Sequence, residues 1–167
     1  SSTTSVDAYV KPMVHRYVDR LSDELARLGL EPQVAIMLSH GGVGPAREVS
    51  RSFPVRMIES GPAAGAIAAG HFARTALETP DAVAFDMGGT TAKISVIREG
   101  EPTVTNAFEV AHVHRFKRGS GLPLQIPAIE LLEIGAGGGS IAHVNELGLL
   151  NVGPHSAGAV PGPACYG

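Results

Sequence analysis

The residues best suited to chemistry lie in the string FDMGGTTAKISV, at positions 85–96. An acid, two glycines, two threonines and a lysine occupy the junction of two apolar runs there: Asp86, Gly88, Gly89, Thr90, Thr91 and Lys93. A Gly-Gly turn lets the backbone take positive φ angles and brings amide N–H groups close to a ligand without interference from a Cβ atom. Such N–H groups, together with hydroxyls, form a concave site for phosphate oxygens, beside which a carboxylate can hold Mg²⁺ through water. The string predicts a phosphate-binding hairpin; an ordinary hairpin with a tight turn is the alternative.

A second glycine cluster, EIGAGGGSIA, occupies positions 133–142 and precedes a short apolar strand. Its glycines are Gly135, Gly137, Gly138 and Gly139. No lysine follows them at the spacing of a P-loop, and no long helical pattern follows as a dinucleotide fingerprint requires. Two interpretations stay open, a backbone contact surface for nucleotide or substrate and a purely structural turn.

The string VGPHSAGAVPGPACYG, at positions 152–167, is rich in glycine and proline and predicts a shaped loop. Cys165 has no histidine or acid nearby in sequence, so a small buried thiol is favoured over a nucleophile. His112 and His114 would share one face of a strand, as metal ligands sometimes do. The basic residues that follow them and the lack of a neighbouring carboxylate favour a basic face or contacts to an anionic substrate instead.

Composition narrows the class of protein. The chain has 167 residues, 44% of them hydrophobic and 17% charged, which predicts one folded domain with a buried core. A net charge of −3 without a stripe of lysine and arginine argues against nucleic-acid binding. No apolar run approaches the ~18 residues of a membrane span, and the first residues, SSTTSVDAYV, lack the charged and apolar regions of a signal peptide. A single cysteine excludes an internal disulfide and predicts a cytoplasmic location.

Periodicity predicts an α/β arrangement in one domain, 1–167. Residues 1–80 form a helix-strand-helix lead-in, and 81–167 contain the hairpin, a meander and glycine-rich loops. We expect helices at 7–28 (N-cap Asp7, C-terminal Gly29), from 45 in PAREVS, and at 61–77 with Ile67, Phe72 and Leu77 buried. Gly61, Ala64, Gly65, Ala68 and Ala69 would allow that last helix to approach a sheet or a ligand closely. We expect strands at 33–38, 55–60, 82–87, 91–97 and 103–110, the last three forming an antiparallel meander, and little regular structure after 117.

Five strings in order resemble the hydantoinase A / 5-oxoprolinase family, with the N-methylhydantoinase A group nearest and acetone and acetophenone carboxylase subunits close by. They are MLSHGGV, ESGPAAG, DMGGTTAKISVI, EIGAGGGSIA and VGPHSAGAVPGPACYG. The hairpin string also resembles those of the superfamily of actin, sugar kinases and heat-shock ATPases, in which two RNase H-like halves each supply one hairpin. Only one such string occurs here. The sequence also begins without an initiator Met and stops abruptly at PGPACYG. We therefore expect a fragment, a partial hydantoinase A domain.

The resemblance implies an RNase H-like half with an antiparallel phosphate hairpin, and an ATP-dependent reaction. ATP phosphorylates an amide or carbonyl oxygen of a cyclic amide or imide, and water then opens the ring. Asp86 would position Mg²⁺ or water, Gly88 to Thr91 would hold phosphate with Lys93 at the exit, and Gly135 to Gly139 would lie on the adenosine side. A hydantoinase B-type subunit is the implied partner, and the isolated fragment is expected to be inactive. A ketone carboxylase subunit, a sugar-kinase relative and a non-catalytic interface module are the alternatives, and the catalytic base is not assigned.

Overall fold

A computed structural model describes residues 1–30, 33–112, 119–158 and 160–163. They form a mixed α/β structure in which the helices and one antiparallel strand pair lie before residue 76, and antiparallel strands follow from residue 82. The helices are α1 (Ser2–Arg27), α2 (Ala46–Ser52) and α3 (Ser60–Thr75), with a 3₁₀ turn at Pro54–Met57. The strands are β1 (Ala35–Met37), β2 (Val43–Pro45), β3 (Ala82–Met87), β4 (Ala92–Arg98), β5 (Glu101–Pro102), β6 (Val104–Thr105), β7 (Phe108–Val110), β8 (Leu122–Leu124), β9 (Ala128–Ile129), β10 (Leu132–Ile134), β11 (Ser140–Val144) and β12 (Leu150–Ser156). Among these helices, none combines the length and the apolar character that crossing a membrane requires.

Helix α1 begins earlier than its apolar periodicity predicts, because Ser1 caps it by accepting the N–H of Thr4. The predicted cap, Asp7, instead accepts the N–H of Val55 at 3.0 Å, so that prediction is wrong. The C-terminal end is as expected: Gly29 has a φ of +74° and ends the helix. Asp7 therefore joins α1 to the segment that follows α2.

The predicted strand at 55–60 is wrong. Pro54 opens a 3₁₀ turn there, and α3 begins at Ser60. Val55 is fully buried with Leu124 and Ile126. Packing against these distant residues therefore fixes the conformation of the 55–60 segment. Upstream, the predicted strand at 33–38 is confirmed as the shorter β1, which pairs antiparallel with β2.

The central sheet confirms the predicted hairpin. Strands β3 and β4 pair antiparallel from Ala82 opposite Ile97 to Met87 opposite Ala92, and β10 lies on the other edge of β4. The predicted third strand at 103–110 is wrong, because β6 and β7 leave this sheet to pair with β9 and β8. The Thr105 hydroxyl donates to the carbonyl of Ala107 at 2.9 Å, which turns the chain between them.

Helix α3 covers one face of the central sheet through small residues. Ala63 and Ala66 pack with Ile129 and Ala84, while a Cβ on Gly70 would lie 2.6 Å from the carbonyl oxygen of Gly100. The predicted close approach of α3 to the sheet is therefore confirmed, but Ala63, Ala66 and Gly70 make it. Gly61 and Gly65 have open space around them. Burial of Phe72 and Leu77 is a wrong prediction, since they are 63% and 70% exposed. Ile67 is half-buried against the core.

After residue 117 the chain has more regular structure than predicted. Strands β11 and β12 form a hairpin whose turn is built by the Asn145 side chain, which accepts the N–H groups of Leu147 and Leu149 at 3.0 Å. Strand β12 runs through Gly153 and Pro154, so the predicted loop at 152–167 is wrong for its first five positions. Cys165 and His114 lie outside the described residues.

Candidate functional site

The turn between β3 and β4 has the geometry expected of the hairpin string. The N–H of Gly88 donates to the carbonyl of Thr91 at 2.9 Å, and Asp86 is the penultimate residue of β3. The Asp86 side chain is exposed, and within the described ranges it takes part in no hydrogen bond or ion pair. Its carboxylate is thus open to solvent at the end of the hairpin that carries the turn.

The second glycine cluster packs directly against this turn. The N–H of Gly138 donates to the carbonyl of Gly88 at 2.9 Å, and the N–H of Gly139 donates to the carbonyl of Gly89 at 2.8 Å. Ser140 stabilises the loop by accepting the N–H of Gly137 on its hydroxyl at 2.9 Å. Two strings that are distant in sequence therefore form one unit, in which the loop amides bind the turn carbonyls.

Only glycine fits at the centre of this contact. A Cβ on Gly137 would lie 2.7 Å from the Gly88 carbonyl oxygen and 2.7 Å from backbone atoms of Thr90. A Cβ on Gly139 would approach the Gly89 carbonyl oxygen to 3.0 Å. These glycines thus have a structural role, close backbone packing, which was one of the two interpretations open from the sequence.

Beyond the paired N–H of Gly88, several donors of the turn have no partner among the described residues. In the part of the chain that the structure describes, the N–H groups of Gly89 and Thr90 and the hydroxyls of Thr90 and Thr91 make no hydrogen bond. In a trans peptide the C=O and the following N–H point in opposite directions. Since the carbonyls of Gly88 and Gly89 point at the glycine loop, the N–H groups of Gly89 and Thr90 point away from it. Donors fixed in this way suit an anionic ligand.

Lys93 lies beside the turn but is already paired. Its Nζ bonds the carboxylate of Glu59 and lies 3.9 Å from Oε1 of Glu133, and the side chain is only 14% exposed. Glu59 precedes α3 in a left-handed conformation with φ 67°. Asp86 and Glu133 lie opposite Lys93 on the two neighbouring strands, so all three side chains share the α3 face of the sheet. The acids at 59 and 133 were missed from the sequence, although each begins one of the five strings.

This arrangement limits how a metal ion would be held. Among the described residues, no three histidine, cysteine or acidic side chains converge on a point that could hold a metal ion. Mg²⁺ typically takes one or two carboxylates and fills its octahedron with water and substrate phosphates. Asp86 fits that requirement, because its exposed carboxylate and the unpaired donors of the turn lie at the same end of the hairpin.

His112 lies away from this site, in the segment after β7. Its Nε2 is 3.5 Å from Oε2 of Glu109, so the expectation that no carboxylate lies near is wrong. Glu109 also accepts the N–H groups of Gly119 and Gly121 at 2.8 and 3.0 Å. The contact therefore belongs to a carboxylate that organises a loop.

Comparison with known proteins gives the same family that the five sequence strings resemble. The family model of hydantoinase/oxoprolinase proteins matches residues 1–167. The chain belongs to the hydantoinase/oxoprolinase family. All of the chain aligns with an uncharacterised protein of Methanocaldococcus jannaschii at 46% identity and with caprolactamase subunit alpha of Pseudomonas jessenii at 38%.

The chain also resembles a solved structure, the nucleotide-free form of an acetone carboxylase. That structure is described in terms of ATP-dependent acetone carboxylation. The match has a TM-score of 0.63 at 26% identity and covers 84% of this hydantoinase/oxoprolinase chain and 18% of that chain. The chain spans only 25% and 22% of the lengths of the M. jannaschii and P. jessenii relatives. It therefore corresponds to about a quarter of the length of each of these two relatives.

Proposed function

We propose that this chain supplies the phosphate-binding part of an ATP-dependent cyclic-amide hydrolase. One observation carries the proposal: the amides of Gly138 and Gly139 bind the turn carbonyls, so the N–H groups of Gly89 and Thr90 point away from the glycine loop and have no partner among the described residues. Family membership and the similarity to a caprolactamase subunit support a cyclic amide as the substrate class. The similarity to an acetone carboxylase structure described as ATP-dependent supports ATP as the phosphate donor.

The turn and Asp86 would have separate tasks. The N–H groups of Gly89 and Thr90 and the threonine hydroxyls would hold phosphate oxygens, which requires donors with fixed direction. The Asp86 carboxylate would hold Mg²⁺ through water or orient a water molecule. When bound, ATP with its metal supplies the phosphoryl group that makes an amide oxygen part of a good leaving group. An amide resists attack by water without activation, and phosphorylation of its oxygen is one way to supply that activation.

Lys93 and the glycine loop would support the site. The ion pair of Lys93 with Glu59 joins the start of α3 to β4, and so fixes the strand that leads out of the turn. A direct phosphate contact by Lys93 would require its Nζ to leave Glu59. Loop atoms of Gly135, Gly137, Gly138 and Gly139 that the hairpin does not use would contact the adenosine side of the nucleotide.

We also propose that residues 1–167 are a partial hydantoinase A domain of RNase H-like type in a cytoplasmic enzyme. A second hairpin from another region would close on the nucleotide, so the isolated chain should have no turnover. The name of the P. jessenii relative, a subunit alpha, supports a partner subunit, for which a hydantoinase B-type chain is our proposal.

Asp86→Asn in the full-length enzyme tests the proposal. The substitution keeps the size of the side chain and removes its charge, so ATP turnover should fall by about 10²–10³. The melting temperature should not change, because the exposed carboxylate has no partner among the described residues. Glu99→Gln is the matched control, since Glu99 is an exposed acid at the opposite end of β4. Turnover near the wild-type value, or a loss that parallels reduced stability, would contradict the role of Asp86.

A ketone carboxylase subunit is the second candidate, favoured by the acetone carboxylase match. Product analysis separates the two: ring opening of a cyclic amide without bicarbonate supports hydrolysis, and bicarbonate-dependent consumption of a ketone supports carboxylation. The third alternative, a non-catalytic interface module, predicts no effect of Asp86→Asn on either reaction.

A further inference from the structure

The face of the central sheet opposite α3 carries large apolar side chains that the described residues leave exposed. The five are Val83 (66% exposed), Phe85 (58%), Met87 (53%), Val96 (45%) and Leu132 (56%). They lie on three adjacent strands, and the register places Val83 opposite Val96, and Phe85 and Leu132 on either side of Ile94. We call this group the open sheet face. It is one continuous patch across β3, β4 and β10.

The sequence of β3 is that of a strand covered on both sides. In AVAFDM the residues at alternate positions point to opposite faces, and both sets are apolar up to Asp86. Strands with such near-continuous apolar runs are buried on both faces, whereas a half-exposed strand alternates with polar residues. Ala84 packs under α3 and shows that one face is covered. Val83 and Phe85 on the other face have no cover among the described residues.

The open sheet face also lacks charge. On β4 the same side of the strand carries Ala92, which is already buried, then Ile94 and Val96, and a charge appears only at Arg98. Separable protein–protein interfaces are about as polar as the rest of a protein surface, whereas an uncharged apolar patch resembles half of a domain core. The pattern therefore favours permanent cover.

We infer that the open sheet face is covered by an apolar segment of the same polypeptide from outside residues 1–167. Relatives that align with all of this chain are about four times as long, so most of such a polypeptide is available as cover. A second copy or a separate subunit would leave the patch exposed until assembly, a liability for an uncharged face of this kind. The inference does not depend on the proposed reaction.

Cysteine labelling of the full-length polypeptide, purified without any partner subunit, tests this inference. Phe85→Cys and Phe72→Cys are matched variants, because the described residues leave these two phenylalanines 58% and 63% exposed on opposite sides of the structure. Maleimide labelling at each position is followed by peptide mass spectrometry in native buffer and in denaturant. We expect native labelling of Phe85→Cys to be slower by at least about tenfold relative to its denatured rate, in a monomer shown by light scattering. Phe72→Cys on α3 is labelled in parallel, and its native rate is likewise expressed relative to its denatured rate.

Three results would overturn the inference: rapid native labelling of Phe85→Cys, protection that disappears on dilution of a dimer, or protection that appears only with a separate subunit. Oxidation of the wild-type protein by peroxide is a second measurement that needs no substitution. Met87, on the open sheet face, should resist sulfoxide formation in the native monomer, whereas its 53% exposure here would make it reactive without cover. Rapid oxidation of Met87 in the native monomer contradicts the proposed cover.

Discussion

Gly137→Ala should separate the glycine loop from the β3–β4 turn. The new Cβ would lie 2.7 Å from the Gly88 carbonyl oxygen and from two backbone atoms of Thr90. Backbone atoms cannot rotate out of the way as a side chain can, so the loop and the turn must move apart by several tenths of an ångström. Forcing a methyl group into a packed contact costs about 1–3 kcal/mol. Losing the two hydrogen bonds from Gly138 and Gly139 would add about 0.5–1.5 kcal/mol each.

The cost should appear as local opening, and hydrogen exchange measures it there. We expect the amides of Gly138 and Gly139 in the full-length protein to exchange about 30- to 20,000-fold faster, which corresponds to about 2–6 kcal/mol. Affinity for ATP should fall in parallel, because the turn loses the contacts that direct its N–H groups. Gly138→Ala is the matched control, since its Cβ would lie 3.7 Å from the Gly88 carbonyl oxygen, an ordinary contact. Unchanged exchange and affinity in Gly137→Ala would refute the idea that the loop holds the turn.

The remaining predictions concern the sheet and α3. Ser95→Ala should be neutral or stabilising by up to about 1 kcal/mol in thermal unfolding, because the Ser95 Oγ is buried without a partner among the described residues; a clear loss of stability would reveal one. Lys93→Met should destabilise by about 1–3 kcal/mol in denaturant unfolding, since it leaves the largely buried Glu59 carboxylate unpaired, and an unchanged midpoint would show that the pair is not formed. Gly70→Ala should lower the melting temperature because its Cβ would lie 2.6 Å from a carbonyl oxygen, whereas Gly65→Ala, with open space, should not; equal effects would contradict the packing of α3.

Local chemistry explains what the sequence could predict. The β3–β4 hairpin was predicted because two apolar runs flank a Gly-Gly turn, and both signals arise from neighbouring residues. The end of α1 at Gly29 was predictable for the same reason, since a positive φ after a helix favours glycine. Elements whose cause is local can be found without knowledge of the rest of the fold.

Elements fixed by distant contacts were predicted less well. The 55–60 segment has the apolar content of a strand, but Val55 is buried with Leu124 and Ile126, which lie far along the chain. Phe72 was expected to be buried because it is large and apolar on a helix, yet the alanines and Gly70 form the side that faces the sheet. A helix that packs through small residues places its large ones outward, and periodicity alone does not show which stripe is inside.

The candidate site depends both on local sequence signals and on contacts between distant segments. Each glycine string was visible, but a contact between two backbones carries no signature in side-chain type beyond the absence of a Cβ. For this reason the choice between a ligand loop and a structural turn could not be made for residues 133–142 from the sequence. The Glu59–Lys93 pair was missed for a related reason: its partners come from a helix start and a strand that become neighbours only when α3 lies on the sheet.

The structural and the ligand-binding interpretations of the glycines are connected by the geometry of the peptide bond. Because each trans peptide points its C=O and its N–H in opposite directions, binding the carbonyls of Gly88 and Gly89 from one side orients the next N–H groups toward the other. The loop would then raise affinity for phosphate without touching it, by fixing donors that would otherwise have to be ordered when the ligand binds. A glycine with only a packing role, Gly137, would in that case affect nucleotide affinity as strongly as a residue at the phosphate itself.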